Sequence, residues 1–297
     1  MRILFTGGTG FIGTELQHKL LADKHQLIML TRKPEQFASH PAEAIAAISS
    51  LDELANNDQF DAIINLAGEA IATQRWSPKR KEILLNSRLD TTQALLDFIA
   101  RTEHKPGCLI NASAVGFYGD QGDAEVDEST LPNPDFGHRL CASWEALAQQ
   151  AEQHGVRVCI VRIGLVVGAD GGFLQRLLFP FKLGLGGPIG NGRQWMSWVH
   201  LDDLTELMLW LLRNHKTQGI YNGVAPTPVT NNEFTRILAN CLHRPAFLPV
   251  PATVLRLALG EMAGLLLTGQ RVLPRHALDQ GFQFRFSQLE DALLDII

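Results

Sequence analysis

The chain has 297 residues with 26 basic and 31 acidic side chains, a net charge of −5. That balance supplies no surface for nucleic acid and no polybasic membrane attachment, so neither partner is expected. Cys108, Cys141, Cys159 and Cys241 stand far apart without a Cys-x-x-Cys pair, which argues against a disulfide framework and against a metal site. The length suits one nucleotide-binding unit carrying a smaller second portion.

Residues 1 to 5, MRILF, are an apolar run of the length of a buried parallel strand, and Thr6-Gly7-Gly8-Thr9-Gly10-Phe11-Ile12-Gly13 turns it into a helix starting near Phe11. Such a turn needs freedom from Cβ clashes at Gly7, close approach of a ligand at Gly10 and tight helix-on-strand packing at Gly13. The unpaired N–H groups and positive dipole end of the helix suit a pyrophosphate, which makes Gly7, Thr9, Gly10, Phe11, Ile12 and Gly13 candidate cofactor-binding residues. A strand that starts at once leaves no signal peptide, and the apolar stretch 254–267 is interrupted by Arg256 and Glu261. A cytoplasmic location is expected.

The run 25–34 reads as a second strand ending in Thr31, Arg32 and Lys33. An acidic residue here would accept from the ribose 2′-OH of NAD, whereas Arg or Lys pairs with the 2′-phosphate of NADP. Thr31 and Arg32 therefore point to NADP(H). Residues 35–58 give a connection with one helix around Leu51–Asn56. The run 60–69 is another buried strand ending in the small-residue corner Leu66-Ala67-Gly68, placed to pass beneath the cofactor. A helix follows over 76–100, and its Arg88 can be aimed at the cofactor phosphates. Further strands are expected at 108–112 and 156–165 with a helix between them. Alternating strand and helix imply an α/β fold with a doubly wound parallel sheet and ligands outside the strands' carboxyl ends.

With Thr6 to Gly13, Asn65-Leu66-Ala67-Gly68, Ser113 to Asp120, Trp198-Val199-His200-Leu201-Asp202-Asp203-Leu204 and Tyr221-Asn222-Gly223 in this order, the chain resembles the extended short-chain dehydrogenase/reductases. That is the nucleotide-sugar epimerase and dehydratase group. The stretches 183–190 and 222–226 resemble its atypical subgroup, epimerase-family proteins of uncertain substrate. The resemblance implies a Rossmann-type sheet with a smaller C-terminal substrate-binding portion and oxidoreductase or epimerase chemistry on a small molecule.

The family uses a Ser or Thr, a Tyr, and a Lys four residues after that Tyr. One helix face then carries phenol and ammonium together, and the ammonium lowers the phenol's pKa. This chain has two tyrosines, Tyr118 and Tyr221, followed four residues later by Gly122 and Ala225. No Tyr-x-x-x-Lys exists. Aligned on Glu145, the resemblance puts Gly137 and Cys141 at the Tyr and Lys positions, and counting back from Tyr118 puts Ala114, next to Ser113, at the hydroxyl position. The remaining acid/base candidates are Ser113, Tyr118, Glu69 with Arg75 as charge partner, and His138, which shares a helix face with Cys141.

Residues 166–200 are rich in glycine and aromatics, a composition suited to pocket walls. Trp195 and Arg193 are pocket candidates and Trp198 a core residue. His200, Asp202 and Asp203 point to capping of the helix 204–212 rather than to a metal. Ile220–Val224 should return to the sheet, and a capped helix begins near Val229. In the Leu-rich stretch 245–274, the stripe Val254, Leu257, Ala258 and Met262 is a packing face or a homodimer surface. The expected division is 1–165 plus 201–225 for the NADP-binding domain and 166–200 plus 226–297 for the substrate-binding portion. Two functions stay open: an NADP(H)-dependent oxidoreductase or epimerase-like enzyme with non-standard acid/base groups, and a non-catalytic NADP(H)-binding sensor or partner protein.

Overall fold

The apolar run after Met1 forms β1 (Arg2–Thr6), and α1 (Phe11–Ala22) begins where the glycine turn ends. In the computed structural model, which describes residues 1–37 and 44–297, β2 (Gln26–Leu30) and β3 (Ile45–Ile48) follow. The edge strand β3 has no counterpart in the sequence pattern: Ile45-Ala46-Ala47-Ile48 is too short and alanine-rich to alternate. The helix expected around Leu51 is a single 3-10 turn, Leu51–Glu53, closed by a Ser50/Glu53 capping box. Part of the connection over 35–58, residues 38–43, lies outside the described residues.

Next come β4 (Ala62–Asn65), α2 (Pro78–Arg101), β5 (Cys108–Ala114), the short β6 (Glu125–Val126), α3 (Phe136–Gln149) and β7 (Arg157–Ile163). After β8 (Leu165–Val167), α4 (Gly172–Lys182), β9 (Trp195–Met196) and β10 (Trp198–His200), the chain returns through α5 (Leu201–Arg213) to β11 (Gly219–Gly223). The order β11-β7-β5-β4-β1-β2-β3 makes one parallel sheet of seven strands. This is the doubly wound Rossmann-type arrangement. Its order reverses between β1 and β4, which opens a crevice at their carboxyl ends.

Alternation along each strand fills both faces of the sheet. Ile3, Phe5, Leu27, Met29, Ile64, Ile110 and Val161 pack with Leu16 and Leu20 of α1 and Leu204, Leu207 and Leu211 of α5. Leu4, Ile28, Ile63, Leu109, Val158 and Ile160 pack with Leu95, Phe98 and Ile99 of α2 and Ala148 of α3.

A second lobe adds β12 (Val229–Thr230), α6 (Asn231–Cys241), α7 (Ala252–Leu259), α8 (Gly264–Leu267), β13 (Arg271–Val272), α9 (Arg275–Asp279) and α10 (Leu289–Ile296). Thr230 and Glu233 form a capping box at the start of α6, as the sequence suggests. Trp198 is fully buried in this lobe's core with Phe181, Phe234, Leu238 and Leu293. Ala277 and Phe282, counted with the second portion, join the core of the parallel sheet, and His276 stacks on Tyr221 of β11 with ring centroids 5.0 Å apart.

His200 caps α5: its Nδ1 accepts from Asp202 N at 3.1 Å. Asp203 instead accepts from the backbone N–H groups of Arg285 and Phe286, tying the C-terminal segment to α5. Burial pushes the His200 pKa down, against the raising effect of the neighbouring Asp295, Asp202 and Asp203. The unfolded chain therefore takes up a proton first as pH falls. The His200 contribution is complete above its unfolded pKa of about 6.5 and is lost as pH drops towards the lower folded value. His200→Asn keeps a capping acceptor and removes the titration. Urea unfolding should give a stability difference between wild type and variant that is level above about pH 6.5 and shrinks below it.

Candidate cofactor and active site

The turn after β1 is built on backbone contact. Gly7 has φ +76, and a Cβ there would lie 2.5 Å from the Leu66 carbonyl carbon and oxygen; one at Gly13 would lie 2.2 Å from Gly7 O. Only glycine fits either place. The turn thus rests directly on the Leu66-Ala67 corner at the crevice between β1 and β4. Gly10 caps α1 with no side chain, and its N–H goes to Gly7 O at 3.1 Å. The first-turn N–H groups of Phe11, Ile12 and Gly13 have no acceptor within the helix, the arrangement that receives a phosphate.

The candidate cofactor residues divide by what their side chains do. Thr9 and Arg32 are exposed, and Thr31 at the end of β2 uses its hydroxyl to accept from Lys33 N at 3.2 Å. Phe11 turns its ring into the other lobe: Cβ atoms at Gly168, Gly171 and Gly172 would lie 2.7–2.9 Å from it. That leaves its backbone N–H, not its side chain, for the turn, and Ile12 likewise packs on the sheet core. Arg88 lies against Gly68, where a Cβ would be 2.9 Å from its Cζ. It donates to Leu84 O at 2.9 Å and Glu69 O at 3.2 Å. Its guanidinium stands 5.2 Å from the Trp144 ring centre, and burial pushes its pKa down. Arg88 therefore holds the Gly68-Glu69 corner from behind, a different role from the expected reach towards phosphates.

Two of the four acid/base candidates are committed inside the protein. Ser113 donates to Glu145 Oε1 at 2.5 Å. Tyr118 is fully buried and donates to Asn222 Oδ1 at 2.8 Å; burial pushes its pKa up to about 12. Proton transfer from either is corrected by this placement, because neither hydroxyl is open to a substrate. Glu69 is half-buried and paired at 3.3 Å with Arg80, which also donates to Ala70 O at 2.7 Å and Thr73 Oγ1 at 2.9 Å. The expected partner Arg75 donates instead to the Leu257 carbonyl. His138, half-buried in the first turn of α3, has Nδ1 at 2.8 Å from Phe117 O. A carbonyl only accepts, so Nδ1 is the N–H of the neutral imidazole, and Nε2 is that tautomer's acceptor.

Gly137 and Cys141 occupy the same face of α3. A Cβ at Gly137 would lie 3.1 Å from Gly116 O, so helix and loop meet backbone to backbone. Cys141 is buried against Ser113 and Ala114, and burial, with Glu145 nearby, pushes its thiol up to about 11.

The sequence reading misses the polar groups that hold this wall in place. Arg162 interrupts the apolar run of β7 and is 2% exposed. It meets Glu145 of α3 through Nε–Oε1 at 2.9 Å and Nη2–Oε2 at 2.7 Å, and its Cζ lies 3.4 Å from the Phe117 ring centre. Burial opposes the guanidinium charge, but Glu145 outweighs it and the Arg162 pKa is raised. A lone arginine in such a strand is itself the signal, because a buried charge demands a partner. Beside it, Asn65 donates to Thr92 Oγ1 at 2.9 Å and Asn111 Oδ1 at 2.6 Å and accepts from Thr6 Oγ1 at 2.6 Å, while Trp144 Nε1 donates to Thr92 Oγ1 at 2.9 Å. Trp195 donates to Asp123 Oδ1 at 2.9 Å and Arg193 is exposed. Among the described residues no group of three or more His, Cys, Asp or Glu could hold a metal ion.

Removing one partner of a buried ion pair strands the other charge, at a cost of about 3–5 kcal/mol. Glu145→Gln should lower unfolding stability by about that amount in urea titrations, and Glu145→Leu combined with Arg162→Met should cost less than Glu145→Gln alone.

Residues 3–222 match the family described as NAD dependent epimerase/dehydratase, and residues 250–296 match a domain of unknown function, DUF1731. The mouse epimerase family protein SDR39U1 is 41% identical over all of this chain and all of its own length. A chloroplastic homologue from Arabidopsis thaliana is 40% identical over all of this chain and 87% of its own. The crystal structure of human SDR39U1 isoform 2 with NADPH superimposes with TM-score 0.90 at 37% identity, covering 100% of this chain and 99% of that one.

Proposed function

The chain belongs to the NAD dependent epimerase/dehydratase family, and from that membership and the geometry of its site we propose that it is an NADP(H)-binding oxidoreductase or epimerase-like protein acting on a small molecule. The observation that carries this reading is the glycine turn, closed to any Cβ at Gly7 and Gly13 and ending in an uncapped helix N-terminus. The human relative, solved with NADPH, supports the phosphorylated cofactor, as does the exposed Arg32 at the end of β2. Thr9, Gly10 and the backbone of Phe11 and Ile12 would hold the pyrophosphate, Thr31 and Arg32 the 2′-phosphate, and Leu66, Ala67 and Gly68 the ribose side. When bound, NADP(H) supplies hydride transfer to or from a carbonyl or alcohol carbon.

In this reading the residues around that carbon do the proton work. The His138 Nε2 would take the hydroxyl proton as the alcohol carbon gives up its hydride, and in the reverse direction the protonated ring would return that proton to the carbonyl oxygen, with the Glu69 carboxylate, poised by Arg80, as the second candidate for the same role. The lobe of 166–200 and 226–297 supplies the substrate walls. The second reading, a non-catalytic NADP(H) sensor, is favoured by Gly137 and Cys141 standing where the family's Tyr and Lys belong.

Calorimetric titration with NADPH, NADP, NADH and NAD tests the cofactor. Tight binding of the phosphorylated pair alone is expected, and Arg32→Ala should weaken NADPH by roughly ten- to a hundredfold through loss of a charge-assisted hydrogen bond while leaving NADH unchanged. Equal weakening of both would remove Arg32 from 2′-phosphate recognition. With the holo-protein, NADPH oxidation over a panel of carbonyl compounds separates the two functions. His138→Asn, which keeps a donor to Phe117 O, should slow turnover by about a hundredfold or more. Absence of turnover with every carbonyl, alongside tight NADPH binding, favours the sensor.

A further inference from the structure

The second lobe departs from the acidic balance of the whole chain. Residues 171–201 and 234–260 contain no Asp or Glu, yet they hold Arg176, Lys182, Arg193, Arg236, Arg244 and Arg256, and all six are exposed. The same two stretches leave large apolar side chains in water: Phe179 is 72% exposed, Phe247 71% and Leu257 82%, with Leu183, Leu185 and Val254 above half.

Backbone contacts bring these side chains to one edge. Leu248 N donates to Gly186 O at 3.1 Å and Val250 N to Pro188 O at 2.9 Å. Arg244 Nε reaches Lys182 O at 3.0 Å, and a Cβ at Gly190 would touch Leu267 and Ala252. Helix α7, ATVLRLAL, has no buried residue at all. Eight residues are too few for a helix to be stable by propensity, and such helices usually gain their stability from an apolar face packed on something. The acidic neighbour beyond α7, Glu261, is paired with Lys81.

Large apolar side chains exposed together along one edge mark an interaction site. We propose that this edge seats on the surface of an anionic lipid bilayer. Phe179, Leu183, Phe247, Val254 and Leu257 enter the boundary between headgroups and acyl chains, and Lys182, Arg244 and Arg256 pair with the headgroup anions. A second copy of the chain is the less suited occupant, because the two stretches that form this edge carry cations and bring no Asp or Glu of their own to meet them. Among the described residues no helix is long and apolar enough to cross a membrane, so the contact is interfacial. The expectation of no membrane partner rests on the net charge of −5, an average that conceals a basic, apolar edge.

Flotation of the full chain with phosphatidylcholine vesicles, with and without phosphatidylserine, tests the proposal. The expected result is retention on the phosphatidylserine vesicles alone, abolished by high salt. Retention should drop at least about tenfold in Lys182→Glu with Arg244→Glu and also in Phe247→Asp with Leu257→Asp, with circular dichroism melting curves unchanged as the control of folding. Equal retention with and without phosphatidylserine, or variants that float like wild type, would overturn it. So would absence from both vesicle types together with self-association that Leu257→Asp abolishes, which would make the edge a contact between copies.

Discussion

Arg162 and Glu145 bind the two sides of the molecule's working end to each other. An arginine in the middle of a parallel sheet has no water to solvate it, so β7 is admissible at that position only with a carboxylate delivered from α3. The pair does more than neutralise itself. Ser113 on β5 adds a third hydrogen bond to the same carboxylate, and Phe117 lies over the guanidinium. Strand, helix and loop are thereby fixed at the carboxyl end of the sheet, and with them the first turn of α3 that carries Gly137 and His138. The neighbouring Asn65, Asn111, Thr92 and Trp144 do the same for α2. These polar groups are themselves buried and set the positions of the elements around them.

This arrangement also accounts for the odd composition of the cleft wall. Gly137 lets α3 approach Gly116 within ordinary contact of two backbones, and Cys141 fills a dry space beside Ser113. A phenol and an ammonium in those places would need room that the backbone contact removes and solvation that the burial denies. The space beside Ser113 is filled by packing, which leaves Glu69 and His138, both half-buried, as the acid/base candidates that are not fully enclosed.

What could be read in the sequence were features set by local rules. Buried parallel strands are apolar on both faces, so β1, β2, β4, β5 and β7 announce themselves as continuous runs, and the glycine spacing 7, 10, 13 reports steric limits that only glycine meets. The edge strand β3 is not legible, because a four-residue alanine-rich strand gains its order from β2 and carries no pattern of its own. Side-chain assignments suffered for a related reason. Tyr118, Ser113 and Arg88 have the chemistry of active-site groups, and only the tertiary structure reveals that each is occupied by a partner distant in sequence. Glu69 shows the same limit, since choosing Arg80 over Arg75 depends on how α2 enters after the loop. Arg162 is the counter-example: its place inside VCIVRIG already implies a hidden partner.

The return of the chain's end to the sheet has a bearing on how the protein is made. Ala277 and Phe282 complete the core begun by Ile3 and Phe5, so the face of the sheet next to α5 stays open until residue 282 has left the ribosome. Contacts across so great a sequence separation form slowly and leave apolar surface uncovered in the meantime. The N-terminal βα units can assemble early, but the nascent chain has to hold an unfinished core through most of its synthesis. The surface is most exposed to misassociation just before residues 277–282 arrive to seal it.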